Sequence, residues 1–314
     1  MANQKTIMLG VVGDSAAGKT TLTKGIVDLL GEENVTAICS DDYHKYDRKE
    51  RKEKGITALH PDCNHVDVME SHFRELREGR PILKPNYNHS TGEFDAPTYI
   101  KPAKFVIVEG LLGFHTKVLR NLFDVKVYLD PPEDVRINWK LQRDMSKRGY
   151  DRDQVINALK AREKDTKDYI LPQKRYADIL VSFYPQDDEN DERLNAKIAL
   201  SPSNPNPEFN RFIEGLAHDF KAVNGHPSLL SIELDKLNDR PVEILKVAGG
   251  IEEEQTNDLK SRFGSKICQK EIKPNLDFIG TFSKGDNSQM SYPLALVQLA
   301  IAYFMINTQL PVYQ

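Results

Sequence analysis

The stretch Gly13-Asp14-Ser15-Ala16-Ala17-Gly18-Lys19-Thr20 brackets four residues between two glycines and follows them with a lysine and a hydroxyl. Glycine lets backbone N–H groups turn inward toward an anion with no side chain in the way. A helix starting there adds its free N–H groups and positive dipole end. Lys19 would reach the β- and γ-phosphates, and the Thr20 hydroxyl would hold Mg²⁺. The full pattern G-x-x-x-x-G-K-[ST] predicts that Gly13, Asp14, Ser15, Ala16, Ala17, Gly18, Lys19, Thr20 and Thr21 bind ATP or GTP. A chance loop is the bland alternative, but this one lies between an apolar strand and a helix, as the mechanism requires.

Phosphate binding does not define the chemistry, so other charged residues must. Glu109 follows the apolar run Phe105–Val108, which puts a carboxylate at the carboxyl edge of the sheet, ready to manage the metal with Thr20. Asp41 and Asp42 emerge from an earlier strand at the same edge. Transfer to an alcohol needs a carboxylate that accepts the hydroxyl proton, and one of this pair can do so. Both cannot point into the site if the strand continues through them. Next come Lys45, Arg48, Lys49, Arg51, Lys52 and Lys54, against Asp47, Glu50 and Glu53. A charge run is usually a solvated face. Directly after the presumed base, this excess of cations predicts an anionic acceptor such as a sugar phosphate, with Arg51 among the cations that bind it. Further on, Lys140, Arg143 and Lys147 share one helical face. Arg143 and Arg148 suit a lid that brings positive charge to the phosphoryl group in transfer.

These groups need a scaffold. Apolar strands are expected at Lys5–Val12, Asn34–Ser40, Lys104–Val108, Val125–Leu129 and Ala177–Phe183, and helices at Lys19–Leu30, Asp67–Glu78, Pro132–Arg148 and Arg152–Tyr169. Alternating strands and helices predict an α/β fold with a mostly parallel sheet and helices on both faces. Composition turns acidic around Pro185–Glu192, which predicts a boundary there. The kinase-like part is then 1–185, and 193–314 is a smaller α+β region. In it we expect strands at Leu194–Leu200, Leu229–Leu234 and Val242–Val247, a helix at Ile251–Phe263 and a loop at Ser201–Glu208.

The chain has 314 residues and a net charge of −4, which gives no overall attraction to nucleic acid or an acidic membrane. The three cysteines, Cys39, Cys63 and Cys268, lack metal-ligand spacing and predict a reducing compartment. The opening segment has no secretory or transit pattern, so the expectation is cytoplasmic. The apolar run Tyr292–Ile306 is shorter than the roughly 20 residues of a membrane span, so a buried helix or subunit contact is expected.

Taken in order, "GDSAAGKTT", "SDDYHKYDR", "RKEKGITAL", "KPNYNHSTGEF", "VIVEGL", "KLQRDMSKRG" and "PQKRYADIL" resemble the phosphoribulokinase family, particularly its plant and cyanobacterial branch, over about Ile7 to Pro185. The resemblance implies a P-loop kinase fold and phosphorylation of the 1-hydroxyl of ribulose 5-phosphate with MgATP, giving ribulose 1,5-bisphosphate. It implies Asp41 as base and Asp42 in a substrate-binding role. His44, Arg48 and Lys54 fall on positions tied to the sugar phosphate, and Tyr87 and His89 in a segment lining the same pocket. Glu109 takes the metal-linked role. Lys140, Arg143, Asp144 and Arg148 match the lid, and a homodimer is implied. Plant-type members are switched off by a disulfide between a phosphate-loop cysteine and one before the acid pair. Here Cys39 holds the second position but Ala17 stands at the first, so no such switch is expected. Two rivals remain at this point: a uridine kinase-like enzyme, whose acceptor carries no phosphate, and a non-catalytic nucleotide-binding regulator.

Overall fold

The structure is a computed structural model. It describes residues 6–187, 192–201, 205–220, 228–237, 240–270, 272–284 and 287–308. Parts of the expected boundary at 185–192 and of the expected loop at 201–208 lie outside the described residues. In chain order the elements are β1 (Ile7–Gly13), α1 (Lys19–Leu30), β2 (Val35–Cys39), α2 (Arg48–Lys54), α3 (Val66–Arg77), β3 (Ile82–Asn88), β4 (Glu93–Ile100), β5 (Phe105–Gly110), α4 (Lys117–Leu122) and β6 (Val125–Leu129). They continue with α5 (Glu133–Arg148), α6 (Arg152–Asp165), β7 (Ile179–Pro185), β8 (Leu194–Leu200), α7 (Pro207–Asp219), β9 (Leu230–Leu237), β10 (Arg240–Val247), α8 (Glu253–Cys268), β11 (Thr281–Lys284), β12 (Asn287–Met290) and α9 (Tyr292–Ile306). The main sheet has eight strands, with helices around it.

The chain divides into two compact units, which interleave in sequence. The first comprises residues 1–19, 33–126 and 137–176. Its sheet strands run β2-β5-β1, all parallel. β5 is paired on both edges, and Phe105–Val108 are buried, which explains their unbroken apolar run. Glu109 lies within β5, opposite both Val11 of β1 and Cys39 of β2, so the three share one face of the sheet. β2 stops at Cys39, and Ser40–Tyr43 form a 3₁₀ turn. The strand therefore does not continue through the acid pair.

The same unit holds an antiparallel hairpin, β3–β4, that sequence reading missed. Its register slips between Lys84 and Asn86, at Pro85, where a residue without an N–H is tolerated. The cation run is also not a plain solvated loop. Asp47 and Glu50 form a capping box at the start of α2, and Gly55 ends it at φ +63°.

The second unit comprises residues 20–32, 127–136 and 177–314. Its strand order is β6-β7-β8-β10-β9. β6 and β7 are parallel, and the rest pair antiparallel. α7 begins at Pro207, inside the segment expected as a loop, because Asn206 caps it by accepting from the Phe209 N–H (3.1 Å). α9 is buried from Pro293 to Met305, as an all-round apolar helix must be. No helix among the described residues is long and apolar enough to cross a membrane.

Gln298, a polar interruption in that run, is fully buried and bridges two elements. Its Oε1 accepts from the Gly280 N–H (2.7 Å), and its Nε2 donates to the Thr21 carbonyl of α1 (3.1 Å). Gly25 of α1 makes room: a Cβ there would lie 2.0 Å from Gln298 Nε2. Alanine would gain about 1 kcal/mol of helix propensity but displace the amide and strand the Gly280 N–H. We expect Gly25→Ala to destabilise by a net ~1–2 kcal/mol in urea unfolding. Added to Gln298→Ala, it should cost nothing further; a neutral single variant would refute the packing role.

Candidate active site

The phosphate loop leaves β1 at Gly13. Ala16 and Gly18 adopt φ of +66° and +93°, left-handed conformations that turn successive N–H groups to one side and build an anion cradle. Ala17 is fully buried beneath it. Lys19 Nζ donates to the carbonyls of Gly13 (2.9 Å) and Asp14 (3.0 Å), which holds the ammonium across the loop. The buried Asp14 accepts from the Ser15 N–H (2.6 Å) and from Thr166 Oγ1 (3.4 Å). Thr20 and Thr21 are the second and third residues of α1.

From α5, Arg143 reaches the same loop. Its Nη2 donates to Ser15 Oγ (3.3 Å), and its Nε pairs with Asp144 (2.8 Å). Asp144 also pairs with Lys140 (2.6 Å) and Arg148 (3.4 Å). Asp144 and Lys140 are each only 3% exposed. Burial alone would raise the Asp144 carboxyl, but hydrogen bonds from Arg143 and Lys140 overcome it and hold the group below its usual range. Burial, reinforced by Arg162, pushes Lys140 down to about 8 against the pull of Asp144. One carboxylate thus orients two arginines, and Lys140 is its buried counter-charge.

The acid pair splits in two directions. Asp42 binds Lys84 Nζ of β3 (2.5 Å) and accepts from the Tyr87 N–H (3.1 Å). Lys84 completes its three donors on the Pro85 carbonyl (2.9 Å) and Asn86 Oδ1 (2.7 Å). Asp41 instead lies with its carboxylate within 4.8 Å of Cys39 Sγ and a His89 ring nitrogen. Gly110 permits this: a Cβ there would sit 1.7 Å from Ser40 Oγ and 3.2 Å from Asp41 Oδ1.

Around Asp42 the hairpin gathers the expected acceptor residues. The Tyr87 ring packs edge-on against His44 (4.9 Å) and His89 (5.0 Å). Arg51 donates to the Tyr87 hydroxyl (2.5 Å) and the Tyr46 carbonyl (2.7 Å). Arg48 donates to the His89 carbonyl (2.5 Å). Lys54 is exposed, over the Tyr46 ring. His44 Nδ1 meets Asn64 Oδ1 at 2.7 Å. Asn64 spends its amide N–H groups on the Ala58 and His60 carbonyls, so its Oδ1 must accept and His44 Nδ1 must carry the proton. Burial lowers His44 and His89, each against the opposing pull of Asp41. Burial thus works against positive charge on both histidines.

Within the first unit, the Glu109 carboxylate is of the oxygen type that suits a hard cation such as Mg²⁺, and the loop cradle with Lys19 suits a polyphosphate. Two positioning residues escaped sequence reading. Lys84 falls at an inward position of an alternating strand, and its burial depends on Asp42, 42 residues earlier. Gln173 is buried and fixes the segment after β5, accepting from the Phe114 N–H (2.8 Å) and donating to the Leu111 carbonyl (2.7 Å).

A strand–loop–helix phosphate cradle at the carboxyl edge of a mostly parallel sheet defines a P-loop kinase fold. A family model described as Phosphoribulokinase / Uridine kinase family matches residues 8–189, and the chain belongs to that family. The phosphoribulokinase of Synechocystis sp. is 45% identical over 181 residues, 58% of this chain and 54% of that protein. This chain thus spans about half the length of that relative. The chloroplastic phosphoribulokinase of Triticum aestivum is 31% identical over 317 residues, covering 89% of this chain and 78% of that one. The uridine kinase of Lactobacillus helveticus is 34% identical over 197 residues, covering 61% of this chain and 92% of that one. Among solved structures, phosphoribulokinase from Rhodobacter spheroides aligns with a TM-score of 0.58 at 17% identity, covering 85% of this chain and 98% of that one; this likeness concerns the fold alone.

Because the Asp144 carboxyl is held below its usual range, the stability it contributes is present above the unfolded carboxylate pKa and is lost as pH falls through the folded one. Asp144→Asn should cost about 3–5 kcal/mol at neutral pH by leaving Lys140 buried and unpaired. In urea unfolding from pH 7 to pH 3, the gap to wild type should narrow below about pH 4. A gap independent of pH would exclude this role.

Proposed function

We propose that the chain is a kinase that transfers the γ-phosphoryl of MgATP to the 1-hydroxyl of ribulose 5-phosphate, yielding ribulose 1,5-bisphosphate and ADP. The observation that carries the reading is the split acid pair. Asp42 is committed to Lys84 and the Tyr87 N–H, while Asp41 sits beside His89 at the sheet edge.

In this reading Asp41 accepts the 1-hydroxyl proton as the oxygen attacks phosphorus. The loop amides of residues 13–21 and Lys19 hold the triphosphate. Thr20 and Glu109 would hold Mg²⁺, and the ion would supply charge neutralisation during transfer. Arg143 and Arg148 bring positive charge to the equatorial oxygens, and Lys140 and Asp144 serve the acceptor through them. Arg48, Arg51 and Lys54 bind the 5-phosphate, with His44, Tyr87 and His89 along the sugar. Residues 1–185 carry the chemistry, and 193–314 contribute to a homodimer, which light scattering would reveal.

The cations of α2, with Arg51 at Tyr87, Arg48 at the His89 carbonyl and Lys54 over Tyr46, favour this acceptor over a nucleoside, which has no phosphate for them to bind. We also propose that activity lacks a thiol switch. Cys39 has no cysteine partner at Ala17, and burial together with Asp41, Glu109 and Asp42 pushes its thiol pKa well up.

An ADP-release assay with ribulose 5-phosphate, ribose 5-phosphate and uridine tests the reading. Turnover is expected with ribulose 5-phosphate and not with uridine, and it should be the same after oxidant as after dithiothreitol. Turnover with uridine alone would replace the reading with a nucleoside kinase; no turnover with any acceptor would favour a binding regulator. A large loss on oxidation that dithiothreitol reverses would refute the absence of a switch.

A further inference from the structure

Three side chains of different chemistry converge at the end of β2. Cys39 Sγ, an Asp41 carboxylate oxygen and a His89 ring nitrogen all lie within 4.8 Å of one another. Strand register fixes Cys39 beside Glu109, and the 3₁₀ turn places Asp41 two residues on. His89 follows the last residue of β3, and Tyr87 packs against its ring. The reaction proposed above has no use for a sulfur here.

Sulfur, imidazole nitrogen and carboxylate oxygen together are a poor set for Mg²⁺, which takes oxygen ligands. They are a good set for Zn²⁺ and related borderline cations. Zinc bonds of about 2.0–2.3 Å in tetrahedral geometry separate ligand atoms by about 3.3–3.8 Å. Donors within 4.8 Å therefore need to close by only about 1–1.5 Å, within the reach of small side-chain rotations. The acids Glu109 and Asp42 lie close enough to act on Cys39 and add negative potential. Arg143 and Arg148 act on His89 in the opposite sense.

We propose that Cys39, Asp41 and His89 form an inhibitory site for a zinc-type divalent cation, which takes up the carboxylate that would otherwise accept the substrate proton. Binding releases the Cys39 thiol proton to solvent and leaves one coordination position for water. The binding claim stands on the donor geometry; the inhibition rests on the role proposed for Asp41.

The test uses the full chain, stripped of metal. Titration with Co²⁺ as a spectroscopic stand-in should give one site with sulfur-to-metal charge-transfer absorption, which Zn²⁺ then displaces. Zinc affinity, measured against a chromophoric chelator, should fall at least about tenfold in both Cys39→Ser and His89→Ala. It should not change in Cys268→Ser, which alters an exposed thiol on α8. Absence of the sulfur band, or undiminished affinity in Cys39→Ser and His89→Ala, overturns the site. In the ADP-release assay with excess Mg²⁺, zinc should suppress wild-type turnover, and Cys39→Ser should need at least about tenfold more zinc. Zinc bound at this site with an unchanged rate overturns the inhibition. Zinc bound as described in a protein with no kinase turnover upholds the site and defeats the reading of function.

Discussion

The ion pair between Asp42 and Lys84 is the contact on which the site's layout depends. A lysine only 8% exposed is costly unless its charge is matched and its donors are filled. Asp42, the Pro85 carbonyl and Asn86 Oδ1 do both. The other Asp42 oxygen takes the Tyr87 N–H, so one carboxylate fastens the hairpin to the turn after β2. That attachment delivers Tyr87 and His89 to the sheet edge and seats Tyr87 against His44 and under Arg51. It also distinguishes two adjacent aspartates that composition alone treats as equals.

A second carboxylate plays a comparable part over the phosphate loop. Asp144 gathers Lys140, Arg143 and Arg148 from one helix. Arginines held this way lose less freedom when they meet an anion, which is the physical meaning of preorganisation. Burial works against charge on His44 and His89, while the arginines keep theirs.

Much of this was legible in the sequence wherever the signal is local. β6 and α1 fall where apolar periodicity and Gly31 put them, and Glu109 declares itself as an acid in an apolar strand. The hairpin was hidden because Pro85 and Pro97 lie inside its strands and strand reading treats proline as a breaker. α2 was hidden by its charge, although Asp47, Glu50 and Gly55 form a complete set of cap signals. Lys84 and Gln298 were illegible for a deeper reason. Each is polar in a pattern that reads as surface or interruption, and each depends on a partner far away in the chain, Asp42 for Lys84 and Thr21 for Gln298. No window along the chain contains that information.

The central claim is the division of labour in the acid pair, and comparing Asp41→Asn with Asp42→Asn tests it most directly. Each variant is measured for kcat, KM for ribulose 5-phosphate, and stability in urea. On this account Asp41→Asn lowers kcat by about 10²–10⁴-fold while leaving stability unchanged. Asp42→Asn loses about 3–5 kcal/mol of stability and raises KM, because Lys84 is left buried without its counter-charge. The reverse pattern, with turnover lost through Asp42 and stability through Asp41, would contradict the account.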